Sequence, residues 1–183
     1  MTIAGKIEST IAIPGGVSVS QKGNILSVKG TKGELSRNFA HPRVKVVIGE
    51  GKVTVSCDYP RIKEKAMVGT YLAHLRNMFR GVTQGYEYHM KVVFSHFPMK
   101  VVVKGAQVQI DNYMGGKDPR IADIVGKTAV KINGADIVIS GPDIEACGQT
   151  AANIEKATSR RGFDRRIFQD GIYIVGKSHK VRE

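Results

Sequence analysis

The chain has 183 residues, with 28 Lys+Arg against 16 Asp+Glu and a formal net charge of +12. Its apolar runs are only a few residues long, which excludes a membrane-spanning helix, and two cysteines are too few for a disulfide framework. The length suits one or two domains, and the cationic excess points to a polyanion such as RNA or DNA as partner.

The first unit opens with short apolar stretches, Ile11–Ile13, Val17–Val19 and Ile25–Val28, separated by the turn formers Pro14-Gly15-Gly16 and Lys22-Gly23-Asn24. These read as strands. Residues 34–39 alternate apolar and polar, as a half-buried strand does. Val44–Ile48, Gly49-Glu50-Gly51 and Lys52–Ser56 then read as strand, tight turn, strand, because glycine adopts the positive φ of hairpin turns without strain. After Pro60 the period lengthens. Ile62, Ala66, Gly69, Leu72, Leu75 and Phe79 recur every three or four residues and predict one buried helical face. Gly81 and Gly85 are expected to end that helix and begin a linker.

The second unit repeats this order. Residues 88–94, 99–104 and 107–110 read as strands, and 112–119 as a loop rich in turn formers. About 84 residues after the first hairpin, Thr128–Ile132, Asn133-Gly134 and Ala135–Ser140 predict a second one. Asp143 then suits the N-cap of a helix whose apolar face is Ile144, Cys147, Ala151 and Ile154. That helix is expected to end near Gly162, with a final strand over Gly171–Val175 and a basic tail beyond. The expected fold is α+β: two tandem duplicated modules, 1–85 and 86–183, each a small, mostly antiparallel sheet with one helix packed on one face. Cys57 and Cys147 fall near equivalent points of the two repeats and read as reduced core residues.

Charge is unevenly spread. Residues 1–87 hold 13 Lys+Arg and 6 Asp+Glu, residues 88–155 hold 7 of each, and residues 156–183 hold 8 and 3. The second unit is therefore neutral in its body and cationic at its end. The N-terminal residues show no basic segment followed by a long apolar stretch, so no secretory signal is expected.

Motifs for catalysis are missing where they would be needed. Gly126-Lys127-Thr128 resembles the end of a phosphate loop, but Ile121 stands where the leading glycine belongs and the segment runs into a strand. The histidines lack zinc-ligand spacing, no G-x-S-x-G turn is present, and the acidic pairs sit where turns place acids anyway. Gly115, Gly116 and Lys117 instead present backbone amides and a cation to which a phosphate could bind. Tyr113, in the same loop, is the better candidate for stacking on a base. Tyr173, flanked by apolar residues, reads as a core residue.

The run from Arg165 to Lys177, with Arg166, Phe168, Asp170, Gly171, Ile172, Tyr173, Ile174 and Lys177, closely resembles the signature of one ribosomal family. It is the universal large-subunit ribosomal protein family numbered six in bacteria, in its archaeal and eukaryotic branch. Ile13–Val17, Val28–Gly30 with Gly33 and Glu34, Gly69-Thr70 and Gln149–Ala152 match as well, so the resemblance spans essentially the whole chain. Residues 158–164 look like an insertion typical of the archaeal side.

The resemblance implies a structural protein without catalytic activity, cofactor or small-molecule substrate. It implies binding to large-subunit ribosomal RNA near the sarcin–ricin loop and the base of the factor-binding stalk, beside other ribosomal proteins, on cytoplasmic ribosomes. In that family the second module makes most RNA contacts, which matches the cationic end. The candidate RNA contacts there are Arg160, Arg161, Arg165 and Arg166, joined by Lys177, His179, Lys180 and Arg182 from the strand end and tail. Arg165 and Arg166 could instead pair with Asp164 and Asp170. Two rival readings stay open: a nucleic-acid-binding regulator acting outside the ribosome, and a small enzyme on a β-rich scaffold.

Overall fold

A computed structural model describes residues 5–94, 97–159, 162, 164 and 166–178, with only the backbone for Lys177 and Ser178. The chain divides into two compact units, Met1–Gln84 and Gly85–Glu183. In the first, β1 (Lys6–Ala12), β2 (Ser18–Lys22), β3 (Ile25–Gly30), β4 (Gly33–Asn38), β5 (Val44–Gly49) and β6 (Lys52–Asp58) precede α1 (Ile62–Thr83). In the second, β7 (Tyr86–Val93), β8 (Lys100–Lys104), β9 (Gln107–Asp111), a short 3-10 turn (Tyr113–Gly115), β10 (Arg120–Asp123), β11 (Ala129–Asn133) and β12 (Asp136–Gly141) precede α2 (Ile144–Ala157) and β13 (Gly171–Ser178).

The architecture is α+β with antiparallel strand pairing throughout. Each unit has two sheets rather than the single one expected. The first has β1-β6-β5 and β2-β3-β4; the second has β11-β12-β7-β13 and β10-β9-β8. The three-stranded meanders form separate sheets because their strands pair only with sequence neighbours. In the first unit the turn Pro14–Gly16 breaks the chain between β1 and β2.

Alternation along the strands decides which side chains are buried. Val53, Val55 and Cys57 of β6, with Leu26 and Val28 of β3, pack on Val68, Tyr71, Leu75, Met78, Phe79 and Val82 of α1. This face is rotated from the one the sequence suggested. Leu75 and Phe79 belong to both patterns, but Ile62 is 85% exposed. Together Val68, Tyr71, Met78 and Val82 offer more apolar area to bury than Ile62, Ala66 and Gly69, so they set the face. Phe39 meets Tyr71 edge-to-face at 5.0 Å.

The last turn of α1 is held by the β3–β4 turn. The Lys32 N–H donates to the Val82 carbonyl at 2.9 Å, and the Thr31 hydroxyl reaches the Val82 and Thr83 carbonyls at 3.3 Å each. These bonds satisfy carbonyls that a helix end leaves without intrahelical partners. The approach requires Gly30, because a Cβ there would lie 2.7 Å from the Val82 carbonyl oxygen.

In the second unit, Met90 and Val92 of β7, Ile137 and Ile139 of β12, Ile172 of β13 and Val108 and Ile110 of β9 surround Cys147, Ala151 and Ile154 of α2. Asp143 caps α2 as expected, its carboxylate accepting the Glu145 N–H at 2.9 Å. Both cysteines are buried and free, but they are not equivalent. Counted from the hairpin turns, Cys57 matches Gly141, five residues into β12. A Cβ at Gly141 would lie 2.8 Å from the Cys147 sulfur, so the strand leaves that volume to the helix.

Candidate nucleic-acid interface

Strand β9 ends at Asp111, and the chain turns through three left-handed residues within four: Asn112 (φ 58°), Met114 (φ 53°) and Gly115 (φ 74°). Asparagine and glycine tolerate this region, whereas methionine seldom adopts it. The turn is held from outside. The Asn112 side-chain amide donates to the Pro98 carbonyl at 3.0 Å, and the Phe97 ring lies so close to Gly115 that a Cβ would meet it at 3.3 Å.

This geometry drives Tyr113 inward. It is 4% exposed, and its hydroxyl donates to the Thr158 carbonyl at 2.6 Å, with the Asp170 carbonyl 3.4 Å away. The Arg120 guanidinium covers its ring at 4.4 Å from the centroid and donates to the Ala157 carbonyl at 2.7 Å. The stacking role expected for Tyr113 is therefore corrected: a ring buried and covered on one face cannot receive a base. Tyr173 reverses the other way. It is 39% exposed, because Ile172 and Ile174 take the inward positions of β13 and the residue between them points out. Its hydroxyl donates to the Gln169 carbonyl at 3.1 Å.

Thr158 joins three elements. Its carbonyl accepts from Tyr113, its hydroxyl donates to the Glu155 carbonyl at 3.1 Å, and the same oxygen accepts the Ile172 N–H at 3.0 Å. The end of α2, the glycine loop and the start of β13 are thus tied at one buried point. Sequence reading missed both Thr158 and Arg120. An ordinary threonine and an arginine opening a short strand carry no local signal, since the bonds that tie these elements together run to partners 14 to 45 residues away: Tyr113 and Ile172 for Thr158, and Ala157 for Arg120.

The end of α2 and the start of β13 meet at Tyr113, and in the adjoining loop Gly115, Gly116 and Lys117 are exposed. The Gly115 and Gly116 N–H groups, expected to be open to a phosphate, already donate to the Asn112 and Tyr113 carbonyls at 3.3 and 3.1 Å. A cleft of about 510 Å³ opens there, lined by residues including Lys156, Ser159, Phe168 and Tyr173. Arg166 is exposed; its backbone N–H donates to the Asp164 carboxylate at 2.9 Å. Asp170 is buried. Arg160, Arg161, Arg165, His179, Lys180 and Arg182 lie outside the described residues, as does the side chain of Lys177. No helix is long and apolar enough to cross a membrane, among the described residues.

A family model described as Ribosomal protein L6 matches the chain twice, over residues 13–85 and 97–171. Among curated relatives, the large ribosomal subunit protein uL6 of Methanosarcina mazei is 50% identical over 173 residues, covering 94% of this chain and 98% of its own. The protein of the same name from Methanobrevibacter smithii is 48% identical over 177 residues, 97% and 99% of the two chains. That from Methanococcus vannielii is 46% identical over 181 residues, 99% and 100%.

Proposed function

The chain belongs to the ribosomal protein L6 family, a structural and non-enzymatic family, and from that premise we propose that it binds large-subunit ribosomal RNA near the sarcin–ricin loop and the base of the factor-binding stalk. In this reading residues 1–85 and 86–183 are domains that arose by duplication. The second makes most of the RNA contact, the first faces neighbouring ribosomal proteins, and the ribosomes concerned are cytoplasmic.

The observation that carries the reading is similarity along nearly the full length to proteins named for the large subunit. The charge distribution supports it, with 8 Lys+Arg against 3 Asp+Glu in residues 156–183. These cations neutralise phosphates that repel one another when RNA helices pack, and they displace condensed counterions. Arginine holds a phosphate through two parallel bonds. A-form RNA offers shape, phosphates and 2′-hydroxyls rather than a readable major groove, so a basic segment suits it better than a base-reading helix. Anchoring that segment at Thr158 and Ile172 limits the conformational freedom it loses on binding.

Gradient sedimentation of a tagged chain, followed by footprinting of the RNA it travels with, tests this. Co-migration with the large subunit and protection of the sarcin–ricin region are expected. A chain found only in the soluble pool would favour the regulator acting outside the ribosome.

A further inference from the structure

Strands β1 and β7 hold the same position in their sheets, but among the described residues only β7 is paired on both edges. The correspondence follows from register. Lys52 and Asp136 each open the strand after the hairpin, and their partners Ala12 and Lys91 correspond in turn. Ile11, Thr10, Ser9 and Glu8 then match Met90, His89, Tyr88 and Glu87. The Ile13 N–H donates to the Gly51 carbonyl at 2.9 Å, and its counterpart Val92 donates to Ala135 at 2.7 Å. At the other end of β1, the Tyr59 N–H donates to the Gly5 carbonyl at 3.0 Å.

These bonds fix the phase of the ladder. Ile7, Ser9 and Ile11 bond to β6, so the N–H and C=O groups of Lys6, Glu8, Thr10 and Ala12 face the open edge. In the second unit the corresponding groups of Glu87, His89 and Lys91 face β13, opposite Ser178, Gly176 and Tyr173.

Burial differs in the same way. Tyr86, Tyr88, Met90 and Val92 are buried beside β13, which adds Ile172 and Ile174 to the core. Their counterparts Ile7, Ser9, Ile11 and Ile13 remain partly exposed. Nor does β1 carry the usual defences of an edge strand. It has seven residues, no proline and an unbroken register, and its one lysine is neutralised by Glu8 at 2.8 Å. Tyr59 and Ile62, exposed at 73% and 85%, follow directly after β6.

We propose that the open edge of β1 is a docking site for an extended segment of another polypeptide. That segment adds an antiparallel strand beside β1 and turns aliphatic residues at two alternate positions toward the core, as β13 does with Ile172 and Ile174. Backbone bonds supply the attachment and the alternate side chains the selectivity. RNA cannot complete such a ladder. A second copy would bring together two units that each carry 13 Lys+Arg against 6 Asp+Glu over residues 1–87.

The inference does not depend on the proposed function, and its test uses the isolated full-length chain. The probe is a synthetic peptide with the sequence of residues 171–178, and the readout is residue-resolved amide exchange. Saturable binding should slow exchange at Lys6, Glu8, Thr10 and Ala12 by about tenfold or more. An N-methylated peptide, or a Thr10→Pro variant that keeps its circular dichroism spectrum, should lose at least tenfold in affinity. The proposal is overturned by absence of protection at millimolar peptide, or by peptide binding that loosens β13 instead. It is equally overturned if the same amides become protected on raising the protein concentration alone, or on adding a large-subunit RNA fragment without peptide.

Discussion

The Tyr113 hydroxyl and the Thr158 carbonyl meet at 2.6 Å inside the second unit, joining a loop that follows β9 to the end of a helix 45 residues later. The bond makes Tyr113 a buried anchor for the end of α2 and removes its aromatic ring from the surface. Replacing Tyr113 with phenylalanine keeps the ring and leaves buried carbonyls without this donor. Destabilisation of about 1–2 kcal/mol is expected, read as a fall in Tm of a few degrees. RNA affinity at fixed salt should change less than threefold. A loss of tenfold or more, with the fold intact, would restore the ring as an RNA contact.

Replacing Arg160, Arg161, Arg165, Lys177 and Lys180 together with glutamine removes five of the eight cations of the C-terminal stretch. Stability should shift little, since surface substitutions usually change it by less than about 0.5 kcal/mol each. RNA binding should weaken by roughly tenfold or more, and the salt dependence of the remaining binding should become shallower. Titrations at several salt concentrations measure both. Unchanged affinity would remove the C-terminal segment from the interface.

Two glycines test close packing in different ways. Gly141→Ala places a methyl against the Cys147 sulfur, and Gly30→Ala places one against the Val82 backbone oxygen. Each should destabilise by about 1–3 kcal/mol. Adding Cys147→Ala to the first should recover about 1 kcal/mol relative to additivity, because the obstructing atom is gone. Adding Val82→Ala to the second should recover much less, because the carbonyl remains. Denaturant unfolding of the single and double variants decides between these outcomes.

Burial pushes the Cys147 thiol from its ordinary value of 9.0 up to about 11, outweighing the hydrogen bond from Thr128 that acts the other way. A folded pKa above the unfolded one means the contribution is fully present below about pH 9. It is lost as pH rises from 9 toward 11, where the unfolded chain ionises and the folded one resists. Two pKa units correspond to roughly 2–3 kcal/mol. Stability measured between pH 8 and 11 should fall, and less so in Cys147→Ala. Alkylation of Cys147 at pH 8 should proceed only as fast as local opening.

The hairpins were legible because their turns and alternating strands lie within about thirteen residues, and Asp143 because capping is local. The phase of α1 was not, since two sets of apolar residues share Leu75 and Phe79 and only packing against β3 and β6 chooses between them. Strand β10 was missed: Arg120–Asp123 has one buried side chain, Ala122, and owes its conformation to pairing with β9. Tyr113 was misread because a tyrosine among glycines looks exposed, and its partners are distant in sequence. Gly30 stood among the residues carrying the family resemblance, and its reason appears only where Val82 approaches it.

The place of β13 beside β7 has a further consequence for synthesis. Translation makes β7, β11, β12 and α2 before residues 171–178, so the four-stranded sheet cannot be completed until β13 has been made and released from the exit tunnel. The first unit has every strand and its helix by residue 83 and can fold while the second is still being made. During that interval β7 presents the same kind of bare margin that β1 keeps. A nonsense mutation before codon 171 would make the interval permanent, leaving Tyr86, Met90 and Val92 open to aggregation.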